Sequence, residues 1–310
     1  MTFAIISHPD CLEHVTPPGH PERVDRLRAI EAALDAPAFA DARRIEAPLA
    51  EDEAILRAHP AAYIHAIEAA APAAGHVSLD ADTHMSPGSL AAARRAAGAN
   101  VKAVDMVMGG EAKAVFCATR PPGHHAEKTT PMGFCLFANA AVAALHAVEA
   151  HGLGRVAIAD FDVHHGNGTQ DVFWNEPRVL FCSSHQSPLY PGTGAEAETG
   201  AGNIHNAVLP PGAGGAAFRA VWRDRLLPAL DAFAPELLIV SAGFDAHARD
   251  PLANLELEDE DFAWITRELC DLAARHAGGR VVSTLEGGYD LAGLASATAA
   301  HCMVLKERAA

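Results

Sequence analysis

The stretch VAIADFDVHHGNGTQ, Val156 to Gln170, decides how this chain is read. It opens as an apolar run, as a strand buried on both faces requires. Asp160, Asp162, His164 and His165 then follow within six residues. Burying such groups costs several kcal/mol or more per ion unless a partner offsets it. Something must therefore sit at the end of this strand. Residues two apart in an extended segment point the same way. Asp160, Asp162 and His164 are thus expected to share one face, with Phe161 and Val163 on the other.

The same unit recurs along the chain. Apolar runs at 114–119, 155–160, 178–184, 236–243 and 280–288 read as strands, and 206–210 is short and extended. Helices are expected at 137–150, briefly from Thr169, at 216–233 and 259–276, and at the end of the chain. The first hundred residues add an opening strand and helices at 21–34, 52–70 and 87–108; residues 69–76 read as a loop. Apolar strands alternating with amphipathic helices imply an α/β fold, a mostly parallel central sheet with helices on both faces. RPPGHHA, DFDVHHGNG, HQSPLYPGTG, FDAHARDPL and EGGYDL each follow one of the strands. In open parallel sheets ligands bind outside the carboxyl ends of the strands. Five loops therefore meet at one edge, and residues 1–310 read as a single three-layer domain.

A net charge of −16 argues against a nucleic-acid binder, which shows a basic face. No apolar run reaches 18 residues, so no membrane span is expected. The opening MTFAIISHPD reads as a strand, having neither a basic region nor a cleavage site. Six cysteines without a CxxC pair suit a reducing, cytoplasmic compartment.

Carboxylate oxygens and a neutral imidazole suit a divalent first-row ion such as zinc, and a catalytic site keeps three protein ligands and an open position. Two ligands come from this strand end, and Asp245 in SAGFDAH is the best third. A helix cap or an ion pair is the plainer reading of any one Asp, but three like charges at one edge repel without a cation. PPGHH sets His124 beside His125, one able to take a proton from water and the other to protonate a leaving amine. Asp160 and Asn167 can each accept a ring N–H. Tyr289 follows two glycines, and its O–H suits a developing oxyanion, a contribution of about 3 kcal/mol. Phe134 and Tyr190 offer apolar walls for a slim aliphatic chain, or serve as core aromatics.

In order, RPPGHHA, GFCLFANAAVAA, DFDVHHGNGTQ, PLYPGTG, SAGFDAHARDPL and EGGY, preceded by GHPERVDRLRAI, resemble the zinc-dependent histone deacetylase family, close to its class II and bacterial branch. The resemblance covers nearly the whole chain. It implies an arginase/deacetylase-type fold and hydrolysis of acyl groups from the Nε-amide of lysine. It implies Zn2+, or Fe2+ in the cell, on Asp162, His164 and Asp245. His124 is then the general base paired with Asp160, His125 pairs with Asn167, and Tyr289 polarises the substrate carbonyl. A structural K+ is implied at Asp160, Asp162, His164, Ser183 and Ser184, and a second monovalent site at Phe173 and Val179. Gly133, Phe134 and Tyr190 would line the acyl-lysine channel. Leu252 stands where polyamine-selective relatives carry Glu, which favours an acyl-lysine protein or peptide over a small acylated amine. Asn167 stands where class I relatives carry Asp, as it does in class II.

Three alternatives remain open at this stage. The scaffold could serve an acetylpolyamine or long-chain acyl amidohydrolase, or a catalytically weak acyl-lysine binding module. A binuclear-manganese ureohydrolase needs more carboxylate ligands than DVHHGNG offers.

Overall fold

Val156 and Ile158 face one hydrophobic core and Ala157 and Ala159 another, so the strand between them is buried on both sides. It belongs to the sheet of a computed structural model that describes residues 2–310. In chain order the elements are β1 (Phe3–Ser7), α1 (Val24–Leu34), β2 (Arg43–Glu46), α2 (Asp52–Leu56), α3 (Ala61–Ala70), β3 (Val77–Ser78), β4 (His84–Met85) and α4 (Ser89–Met108). There follow β5 (Ala114–Cys117), α5 (Asn139–Glu149), β6 (Val156–Asp160), α6 (Asn167–Phe173), β7 (Val179–Gln186), β8 (Ile204–Leu209), α7 (Gly215–Val221) and α8 (Leu227–Phe233). The last are β9 (Leu237–Ala242), α9 (Asp259–His276), β10 (Val281–Leu285) and α10 (Leu291–Ala309).

Eight strands form one sheet in the order β2-β1-β5-β10-β9-β6-β7-β8, and every pairing is parallel. Val104 of α4 and Val142 of α5 lie in the same core as Val156 and Ile158, on one face. Leu27 of α1, Leu269 of α9 and Leu305 of α10 pack in the core on the other. Each such fully buried side chain contributes about 1.5–3 kcal/mol. Two-sided burial is why these strands read as continuous apolar runs rather than alternating ones. A capping box, in which Glu258 and Asp261 exchange backbone hydrogen bonds, starts α9. Among the described residues no helix is long and apolar enough to cross a membrane.

Three expectations need correcting. The helix expected at 52–70 is two helices, because Pro60 cannot continue the first and begins the second as its cap. The run expected at 216–233 widens to a π-helical turn at Trp222–Leu226, just before Pro228. The last strand stops at Leu285, and Glu286 to Tyr289 leave the sheet as a loop.

Adjacent β5, β10, β9 and β6 bring PPGHH, EGGY, AGFD and DFDVHHGNG to neighbouring carboxyl ends. Proximity in the sheet, not in the chain, gathers their polar side chains.

Candidate active site

Asp162, His164 and Asp245 converge on one point, their ligand atoms all within 4.8 Å of one another. His164 Nδ1 lies 3.1 Å from Asp162 Oδ1 and 3.0 Å from Asp245 Oδ2. Both carboxylates are fully buried, and the imidazole is 8% exposed. Backbone donors hold them in place: Gly287 N–H donates to Asp162 Oδ2 at 2.8 Å, and Val163 N–H to Asp245 Oδ1 at 2.9 Å. Any Cβ at Gly287 would collide with both carboxylates, so only glycine lets the β10 loop approach this closely. Burial alone would lower His164, but the two carboxylates outweigh it and lift it to about 10. Burial, with the Asp162 charge added, raises Asp245. The cluster is short of positive charge. One imidazole and two carboxylates are a fitting donor set for a divalent ion such as zinc.

Asp160 does not join this trio. Strand β6 ends at Asp160, so the alternation that would carry it onto the face of Asp162 stops there. Its Oδ2 instead meets His124 Nδ1 at 3.0 Å. Burial lifts Asp160 to about 6 despite that contact. The His124 Nε2 faces Asp162 at 3.8 Å. Against the downward pull of burial, Asp162 and Asp160 hold His124 well above its ordinary range. His125 goes the other way, lowered by burial and then by His124 and His164. Its Nδ1 meets Asn167 Oδ1 at 2.7 Å, while Asn167 Nδ2 donates to Glu127 at 2.9 Å, which fixes the amide's orientation. Two neighbouring imidazoles, 4.1 Å apart by their centroids, thus have opposite proton affinities.

Several positioning groups escaped the sequence reading. Glu286 is fully buried, and its Oε2 accepts the N–H of Gly123 at 2.7 Å and of His124 at 3.1 Å. Asp250 accepts the Tyr289 N–H at 2.6 Å and the Leu252 N–H at 3.0 Å. Burial lifts each of these two carboxyls to about 7. Beneath Tyr289 lies Arg26, its guanidinium 4.8 Å from the ring centroid. Arg26 donates to the carbonyls of Gly288 and Glu286 and pairs with Glu22 at 2.9 Å. Arg120 pairs with the same Glu22, and all three residues are fully buried. The signal was present in part, since Glu22 and Arg26 are spaced i,i+4 in GHPERVDR. Removing Glu22 leaves two buried guanidinium groups unpaired. We expect Glu22→Ala to cost about 3–5 kcal/mol in denaturant unfolding, and an unchanged midpoint would contradict this reading.

Above the trio opens a cleft of ≈ 240 Å³ walled by Gly133, Phe134, Tyr190 and Leu252, with His125, His164 and Tyr289 reaching into it. The Phe134 ring lies 5.9 Å from that of Tyr289, and Tyr190 stands 5.2 Å from His125, 38% exposed at the mouth. Gly133 and Phe134 both adopt positive φ, 56° and 70°. A non-glycine residue held there carries backbone strain, which gathers at functional sites. Asp82 also borders the cleft, from a segment the sequence reading passed over.

Of the residues assigned to potassium, Ser183 Oγ meets His185 at 2.9 Å and Ser184 Oγ accepts from the Trp222 indole at 2.9 Å. The carbonyls of Phe173 and Val179 both face the side-chain amide of Asn203. A second trio, Asp105, His146 and His151, lies elsewhere. There His146 Nδ1 faces Arg57 at 3.3 Å, so its Nε2 carries the proton it gives to Asp105 at 2.8 Å. That is a hydrogen-bonded network rather than a ligand set.

Residues 20–305 match the histone deacetylase domain family. The chain is 43% identical over 284 residues to a histone deacetylase-like amidohydrolase of Pseudomonas aeruginosa, covering 89% of this chain and 74% of that one. It is 37% identical to a probable deacetylase of Archaeoglobus fulgidus, covering 94% and 83%. Histone deacetylase 14, chloroplastic, of Arabidopsis thaliana is 39% identical, with 90% and 71% covered. Among solved structures, the HDA15 HD domain superposes with a TM-score of 0.93 at 35% identity, over 99% of this chain and 88% of that one.

Proposed function

The chain belongs to the histone deacetylase family, and from that premise we propose that it is a zinc-dependent hydrolase removing acetyl or other acyl groups from the Nε-amide of lysine. Hydrolytic deacetylase or amidohydrolase chemistry is the family's own. The observation that carries the finer reading is a ligand trio at the floor of a slim, apolar-walled cleft. A four-carbon lysine stem suits such walls, and Phe134, Tyr190 and Gly133 are the residues we assign to it. Asp162, His164 and Asp245 would hold zinc, or Fe2+ of similar donor preference. Bound there, the ion would supply Lewis acidity to the acyl carbonyl and to water.

The protein's own groups do the rest. With the Asp162 charge that most holds it high offset by a divalent ion, His124, its Nδ1 held by Asp160, is able to receive the proton of the attacking water at Nε2. His124 then returns that proton to the departing amine, while His125, steadied by Asn167 and lowered by burial, stays neutral beside it. Tyr289 stays protonated, since burial raises its phenol well above the ordinary range. Its O–H donates to the oxygen on which negative charge develops. Asp82 at the mouth offers an acceptor to backbone N–H groups of a peptide. A structural K+ on Asp160, Asp162, His164, Ser183 and Ser184 would add positive charge beside these carboxylates. All six cysteines are free and buried, which supports a reducing compartment such as the cytoplasm.

Turnover of an acetyl-lysine peptide against acetylputrescine at matched concentration tests the substrate class. We expect the peptide to win, since half-buried Leu252 offers no charge to a second ammonium. Leu252→Glu should raise kcat/KM for acetylputrescine relative to the peptide by about tenfold, the effect of one partly desolvated charge pair. A preference for acetylputrescine in the unaltered enzyme would reverse the assignment.

A further inference from the structure

Three carbonyl oxygens converge on a single atom. Those of Phe173, Glu176 and Val179 lie 2.9, 3.1 and 2.8 Å from Asn203 Nδ2. Phe173 ends α6, Glu176 lies in the connection, and Val179 opens β7. Asn203 precedes β8 and is 4% exposed. An amide has two N–H donors, so one of the three oxygens must share. A ring of carbonyl oxygens around one centre is the arrangement proteins use to replace the hydration shell of K+.

The resemblance put a second monovalent cation at Phe173 and Val179, and the residues do not fit one. With a nitrogen at hydrogen-bonding distance from all three oxygens, the ring has no room for an ion. Nor can the amide be turned round. Asn203 Oδ1 accepts the Ala201 N–H at 3.0 Å, and a reversed amide would set oxygen against three oxygens and N–H against N–H. The Asn203 carbonyl in turn accepts the Phe181 N–H at 2.9 Å, which pins the backbone in register.

We propose that the side-chain amide of Asn203 takes the place of the cation in this ring. The end of α6 is then tied to β7 and β8 by a covalently tethered donor, whatever the ionic composition around it. The helix whose end is so tied opens at Asn167, the partner of His125, and the inference stands whether or not the hydrolase reading does.

A crystal of the unaltered protein soaked in Tl+, an anomalously scattering K+ mimic, tests this directly. We expect no Tl+ within bonding distance of the three carbonyls, and a peak there would overturn the proposal. In Asn203→Ala the ring is vacated and its oxygens lose their donor. Its Tm in tetramethylammonium chloride should fall by on the order of 5 °C. Replacing that salt by KCl at matched ionic strength should restore about 2 °C or more beyond any response of the unaltered protein. Tl+ should then appear in the ring. A variant with neither K+-specific recovery nor Tl+ would also overturn the proposal. If the variant fails to fold, the crystal of the unaltered protein decides alone.

Discussion

Tyr289→Phe is expected to slow hydrolysis of an acetyl-lysine peptide by about 100-fold to 1,000-fold in kcat while leaving KM nearly unchanged. The substitution removes one hydroxyl and nothing else that holds the residue. The ring keeps its place over Arg26 and beside Phe134, and the backbone N–H stays on Asp250. Only a donor to charge that develops in the transition state is lost, so the loss belongs in kcat. Denaturant unfolding should be unaltered, which separates this effect from that of Glu22→Ala beneath the same loop. A variant with full kcat would remove Tyr289 from the mechanism.

Asp245→Asn should lower both metal content and turnover, the latter by roughly 1,000-fold or more if the ion supplies several kcal/mol of transition-state stabilisation. Asparagine keeps an oxygen to accept the Val163 N–H, so the loop after β6 retains its anchor. It removes one of the two negative charges facing His164. The variant as purified should hold well under one zinc per chain. Metal-free samples of variant and parent should unfold alike, because the substitution removes a charge that burial and Asp162 already disfavour. Full metal occupancy in the variant would take Asp245 out of the ligand set.

Much of this site was legible because parallel sheets put their loops at one edge. The strand before Asp160, and the apolar runs before PPGHH, AGFD and EGGY, sufficed to bring Asp162, His164, Asp245, His124, His125 and Tyr289 together. Residue chemistry offered Asp160 and Asn167 as acceptors for the two imidazoles, and the family resemblance assigned Asn167 to His125. The end of β6 was not, so alternation alone would have turned Asp160 toward the trio rather than toward His124. Strand β2 was invisible for a different reason: it is an exposed edge, RRIE, with no apolar pattern to betray it. Arg120 meets Glu22 across 98 residues of chain, and Asp82 reaches the cleft beside Phe134 from a loop with no motif. Such long-range partners are set by packing and leave no local trace. Asn203 is the clearest example, a single amide nitrogen that meets three carbonyls 24, 27 and 30 residues away in the chain.

In the proposed mechanism one divalent ion on Asp162, His164 and Asp245 is required for amide hydrolysis. Exhaustively chelated enzyme titrated with Zn2+, with acetyl-lysine peptide hydrolysis measured at each addition, tests it most directly. The expected record starts at no turnover, rises linearly, and breaks at one zinc per chain, with no recovery in His164→Ala. Full hydrolysis by the chelated enzyme, or recovery in that variant at the same stoichiometry, would contradict the account.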